Sequence, residues 1–213
     1  MMKIYGRLSS LNVQKVIWCL GELGLAEGRD YERIDAGLAF GVNKTPEYLA
    51  MNPNGLVPTL VDGDFVLWES HSIVRLLASQ HGMGSLMPVD LHRRADSERW
   101  MDWMLGTLTP SIATTFIGLT RTPPEEQNMP AIRQAFETLS RNLAILDNVL
   151  KDRLFCAGSE LTVGDLPLGV AVHRWIMLGN TYPEQLGVAP TYPSLMRWHH
   201  RISERPAFRQ CGV

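Results

Sequence analysis

The chain has 213 residues, 45% of them hydrophobic and 20% charged, and a formal net charge of -2. That length admits one large domain or two modest ones, and the near-neutral balance excludes the strongly basic surface of a nucleic-acid-binding protein. No window reaches the roughly 18 uncharged apolar residues of a membrane span, and the start Met1-Met2-Lys3-Ile4-Tyr5-Gly6 lacks a signal-peptide pattern, so a cytoplasmic protein with no nucleic-acid or membrane partner is expected.

In chain order, Lys3-Ile4-Tyr5 reads as a strand, Gly6 to Asn12 as a turn, and Val13 to Leu23 as a helix with Val13, Val16, Ile17, Leu20 and Leu23 on its apolar face. Tyr31 to Ile34 reads as a second strand. Pro46 to Ala50 is a short helix, with Thr45 as cap and Pro46 at its first position, and Asn52-Pro53-Asn54-Gly55 is a turn. Thr59-Leu60-Val61 and Phe65-Val66-Leu67-Trp68 are strands joined through Asp62-Gly63-Asp64 as a hairpin, and a helix follows from Ser70 to about Gln80. This β-α-β-α-β-β-α order has no G-x-G-x-x-G or P-loop after its first strand, which removes the main support for a dinucleotide or nucleoside triphosphate site.

Beyond a linker over 82–90 the periodicity is helical, in blocks Leu91 to about Leu119, Pro130 to Leu150, Val163 to about Leu178, and Ser194 to Glu204. Pro110 is expected to kink or end the first block. The domains read as 1–81, α/β, and 91–213, all-helical.

Cys19, Cys156 and Cys211 are odd in number and widely spaced, which fits neither a disulfide framework nor a zinc site. The histidines show no metal-binding spacing, so no metal is expected. Cys19 reads as packing on the first helix.

Asn52-Pro53-Asn54-Gly55-Leu56-Val57-Pro58-Thr59-Leu60, followed by Trp68-Glu69-Ser70 at a helix start, resembles the glutathione-binding signature of the cytosolic glutathione transferase family. The turn Tyr5-Gly6-Arg7-Leu8-Ser9-Ser10-Leu11-Asn12-Val13 resembles the serine-using, theta-like and related bacterial branches, and Leu161-Thr162-Val163-Gly164-Asp165 resembles the capping box at the core helix of the family's second domain. The resemblance implies a thioredoxin-like α/β domain plus an all-α domain, a cytoplasmic homodimer, glutathione as co-substrate with no further cofactor, and a hydrophobic electrophile as second partner.

The chemistry of these positions is arguable from the residues themselves. X-Pro is the one bond whose cis form costs only about 0.5–1 kcal/mol, so Val57-Pro58 can turn the main-chain groups of Val57 outward to pair with an extended peptide. Leu56, Val57 and Pro58 are the expected peptide platform. Ser70 at a helix start suits a carboxylate and Glu69 an ammonium, which together would hold the γ-glutamyl end.

At the other end a thiol of pKa about 8.5 must be lowered by about two units, roughly 2.7 kcal/mol of preferential anion stabilisation. A hydroxyl before the first helix, helped by the helix end, can supply it. Ser10 matches the family's catalytic serine, Asn12 is a second donor, and Ser9 and Tyr5 stay open as rivals. Asn43 aligns with the residue for the glycyl carboxylate, where the family often has a histidine or a basic residue, and Lys44 is the nearest cation. Trp103, Leu108, Phe116 and Trp175 are expected to line the second-substrate pocket. The expected activity is thiol transfer to an electrophile, with glutathione-dependent reduction of a peroxide or disulfide as a further outlet. The different-class alternative is a non-catalytic binding module on the same fold.

Overall fold

Alternation in β1, Met2–Tyr5, buries Met2 and Ile4 and turns Lys3 outward. β1 pairs in parallel with β2, Tyr31–Ile34, and antiparallel with β3, Thr59–Asp62, while β3 pairs antiparallel with β4, Phe65–Trp68. The sheet order is β2-β1-β3-β4. Parallel neighbours need a crossover, and α1, Leu11–Glu22, provides it. α2, Pro46–Met51, is capped by Thr45, whose Oγ1 accepts from the Tyr48 amide at 3.3 Å, and α3, Ser70–His81, completes the expected βαβαββα unit. The computed structural model describes residues 1–212.

The helical unit begins with α4, Leu91–Trp103, and α5, Thr109–Thr120, separated by a π-helical turn at Met104–Leu108. The expected break at Pro110 is therefore realised one turn early: the proline ring cannot donate, the preceding turn widens, and Thr109 Oγ1 donates to the Met104 carbonyl at 3.0 Å. α6, Met129–Val149, α7, Asp165–Thr181, α8, Pro183–Leu186, and α9, Pro193–Ser203, follow. Every residue of α7 from Asp165 to Val172 is buried, which makes it the central helix of this unit.

Asp165 organises the start of α7. Its Oδ1 accepts from the Cys156 amide at 2.9 Å and the Trp198 indole N–H at 3.0 Å, and its Oδ2 accepts from the Thr162 amide at 3.0 Å and the Thr162 hydroxyl at 3.2 Å. Burial raises the Asp165 carboxyl above its ordinary range while these donors pull it back down. The reciprocal capping box expected from Thr162 and Asp165 is thus one-sided, because the carboxylate does all the accepting.

The last helix, α10, Pro206–Gln210, departs from the expected second domain of 91–213. By compactness the units are Met1–Asp90 joined by the chain from Ser203 onward, and Leu91–Ile202. The cause lies on α1, where Phe208 sets its ring edge-on to Trp18 at 4.6 Å and Arg205 reaches Glu22 with two hydrogen bonds of 2.7 and 2.6 Å. A Cβ on Gly21 would stand 2.8 Å from that of Ala207, so the two helices touch at a residue without a side chain. With α3 also packed on it, α1 is buried continuously from Val13 to Leu20 rather than along one apolar face. Cys19 is sealed within it, and burial pushes its thiol well up, as befits packing.

Candidate functional site

The turn from β1 into α1 is tight because Gly6, at φ +153°, lies where a Cβ would meet Val13 Cγ2 at 2.4 Å. Ser10 ends this turn as the residue preceding α1, with extended backbone, and its side chain makes no capping hydrogen bond. A serine at that position ordinarily spends its hydroxyl on the helix amides. Here the Ser10 hydroxyl stays uncommitted beside free N–H groups and the positive end of the helix dipole. Asn12, two residues on, is exposed. Of the rivals, Ser9 is exposed, and Tyr5 sets its ring edge-on to Tyr48 at 5.8 Å.

The loop before β3 is held from beneath by a buried polar cluster. Tyr48 Oη donates to the Leu56 carbonyl at 2.5 Å and lies 2.7 Å from Thr59 Oγ1. Asn52 Nδ2 donates to the same two acceptors at 2.9 and 3.1 Å. With the Leu56 carbonyl fixed inward, its side chain is left 65% exposed, and Val57 stands half-buried beside buried Pro58. The Val57–Pro58 peptide is cis. The turn, loop and cap hydrogen bonds leave the amide and carbonyl of Val57 out, so they are available to an extended ligand.

Glu69 has φ +74° and ψ 110°, a positive-φ backbone that costs a non-glycine residue on the order of 1–3 kcal/mol and that clusters at active sites and ligand clamps. The Glu69 side chain is exposed and makes no capping bond, while Ser70 behind it is buried as the first residue of α3. Carboxylate, hydroxyl and the first amides of α3 therefore stand together.

Asn43 departs from its expected role. The side chain is buried, and Nδ2 donates to the Gly55 carbonyl at 2.6 Å, which ties the turn before α2 to the platform loop. Exposed Lys44 stands nearby, its Nζ 3.5 Å from where a Cβ on Gly55 would be. The four apolar candidates also divide. Leu108 is fully buried, and Trp175 is buried with its indole N–H on Ser140 Oγ at 2.9 Å, so both are core residues of the helical unit. Trp103 and Phe116 are half-buried, and the Arg174 guanidinium lies over the Phe116 ring at 4.2 Å.

Sequence reasoning missed Lys15. It is 1% exposed, with Nζ 2.9 Å from Asn12 Oδ1 and 3.1 Å from His71 Nε2. Burial lowers its ammonium to about 7, against a smaller opposing pull from Glu69. Burial and the neighbouring Lys15 push His71 down to about 2, so the ring is neutral, and its Nε2 pairs with Lys15 Nζ. A lysine is normally assigned to the surface. The available signal was that Lys15 is the one charge between Leu11 and Gly21.

A family model described as Glutathione S-transferase, N-terminal domain, matches residues 4–85, and one described as Glutathione S-transferase, C-terminal domain, matches residues 108–206. Glutathione S-transferase GstB of Escherichia coli (strain K12) is 40% identical over 99% of this chain and 97% of that protein. Glutathione S-transferase 3 of Zea mays is 30% identical over 98% of this chain and 92% of its own. Among solved structures, the theta class glutathione S-transferase from the citrus canker pathogen Xanthomonas axonopodis pv. citri, with glutathione bound, superposes with a TM-score of 0.87 at 38% identity. That superposition covers 98% of this chain and 95% of the other.

Proposed function

The chain belongs to the glutathione S-transferase family and is a glutathione transferase, and from that premise we propose how its first unit handles the peptide. Glutathione lies extended along the platform loop and pairs with the main-chain amide and carbonyl of Val57 beside Pro58 and Leu56. Glu69 takes the α-ammonium. The Ser70 hydroxyl and the free amides of α3 take the γ-glutamyl carboxylate. Lys44 faces the glycyl carboxylate, with Asn43 bracing the loop that carries it.

The thiol then falls at the start of α1. Ser10 donates its hydroxyl to sulfur, Asn12 adds a second donor, and the helix end supplies positive potential. The supporting observation is the uncommitted Ser10 hydroxyl at a position where capping would otherwise consume it. The thiolate attacks a hydrophobic electrophile. The protein acts as a cytoplasmic homodimer, in keeping with the family and with the finding that no helix among the described residues is long and apolar enough to cross a membrane.

The test is retention on immobilised glutathione, followed by a thiolate absorbance titration of the bound thiol. Wild type is expected to hold the thiol about two units below 8.5, and Ser10→Ala to return most of that shift while still binding. Loss of retention by wild type refutes the glutathione platform. An unchanged titration in Ser10→Ala, with the shift lost in Asn12→Ala, transfers the role to Asn12.

A further inference from the structure

We infer that Lys15 is a positioning residue for thiol activation: from beneath α1 it holds the Asn12 side chain so that the amide hydrogens of Asn12 face the bound sulfur, and it couples that end of the site to the head of α3. The inference rests on the reading of Ser10 and Asn12 as the thiol-facing groups.

The hydrogen-bond chemistry fixes the orientation. The atom of Asn12 facing Lys15 Nζ, at 2.9 Å, is the carbonyl oxygen, which accepts from it, and the ammonium form has no lone pair to accept an amide hydrogen in its place. The Nδ2 hydrogens are then on the side turned away from Lys15, on a residue that is exposed while Lys15 is buried. Without Lys15 the Asn12 amide could rotate by half a turn and present its oxygen to the sulfur, which would repel a thiolate rather than stabilise it. The second contact, to His71 Nε2 at 3.1 Å, runs to the residue that follows Ser70 in α3. One buried amine therefore joins the start of α1 to the start of α3, the two helix ends assigned to the thiol and the γ-glutamyl group.

The location is costly if its role is packing alone. An amine taken out of water loses its hydration, and an apolar side chain of similar length would fill the same space without that loss. The groups that face Lys15 are Asn12 on its own helix, neutral His71 on α3, and the Glu69 carboxylate at the head of α3, which acts on it electrostatically, with Arg75 of α3 acting on His71. Among the described residues no acidic group forms an ion pair with it.

The experiment is a double-mutant cycle on the bound thiol, with Lys15→Met, Asn12→Ala and the pair, read by thiolate absorbance and by glutathione Kd. Lys15→Met is expected to raise the bound thiol pKa by about one unit, a tenfold loss of thiolate below that pKa, with Kd changed less than about threefold. The double variant is expected to match Asn12→Ala alone, because Lys15 acts through Asn12. A thiol pKa unchanged in Lys15→Met, or an effect that adds in full to that of Asn12→Ala, overturns the inference. A wild-type complex that binds glutathione with an unshifted thiol overturns the underlying reading instead. Should Lys15→Met not fold, the side-chain amide resonance of Asn12 in wild type answers the same question. It is expected to move with the titration of Lys15 itself, and an Asn12 signal that does not follow the Lys15 titration refutes the contact.

Discussion

The platform loop depends on a redundancy that a mutant cycle can expose. Tyr48 Oη and Asn52 Nδ2 both serve the Leu56 carbonyl and the Thr59 hydroxyl, and Tyr48, Asn52 and Thr59 are all buried. Tyr48→Phe removes one partner from each acceptor but leaves Asn52 on both, so the cost is that of ordinary hydrogen bonds, about 1–2 kcal/mol. Asn52→Ala likewise leaves Tyr48 in place and costs about 2 kcal/mol, part of it from the Asn52 Oδ1 contacts to Asn54. Removing both strands the fully buried Thr59 hydroxyl without a partner, a further penalty of about 1–3 kcal/mol.

The double variant is therefore expected to lose at least about 1 kcal/mol beyond the sum of the singles in urea unfolding. Its glutathione Kd, by calorimetry, is expected to rise about tenfold as the loop carrying Val57 loosens, a change of about 1.4 kcal/mol. Additivity within about 0.5 kcal/mol, or an unchanged Kd, refutes the claim that this cluster holds the platform.

Three further outcomes follow from buried groups elsewhere. Asp165→Asn keeps the acceptor for Cys156 and Trp198 but turns an NH2 toward the Thr162 amide, and it is expected to lower unfolding stability by about 2–4 kcal/mol in a urea titration. Phe208→Ala empties the space against Trp18 and is expected to cost about 3–5 kcal/mol, read as a drop in Tm. Lys15, held at about 7 against an ordinary 10.5, binds fewer protons folded than unfolded between those values. Wild-type stability should therefore rise with pH across that window and fall as pH drops toward 7. Lys15→Met is expected to flatten that slope in denaturant titrations at several pH values and to exceed wild type at pH 7 by at most about 4 kcal/mol.

The elements of the first unit were legible in the sequence because each is announced locally. Thr45-Pro46 starts α2, Asp62-Gly63-Asp64 turns β3 into β4, and short β-branched or aromatic runs make the strands. The proposed platform and the Glu69-Ser70 pair were nameable as candidates for the same reason, as contiguous residues whose chemistry is visible in order. Ser10 was locatable in sequence, but whether its hydroxyl was free or spent on capping was decided only by the folded turn, where Gly6 admits Val13 and no capping bond forms.

What tertiary structure alone decided are the contacts between residues far apart in the chain. Phe208 and Arg205 return to α1 across nearly the whole sequence, which bury the helix on sides its periodicity marks as exposed and place the tail with the first unit. Asn43, Leu108 and Trp175 look like ligand contacts by residue type, and the fold commits each to an internal partner or the core. Lys15 is the converse. By itself the sequence gives a lysine the surface as its cheapest environment, and only the packing of α3 against α1 sets His71 beside it and buries the amine.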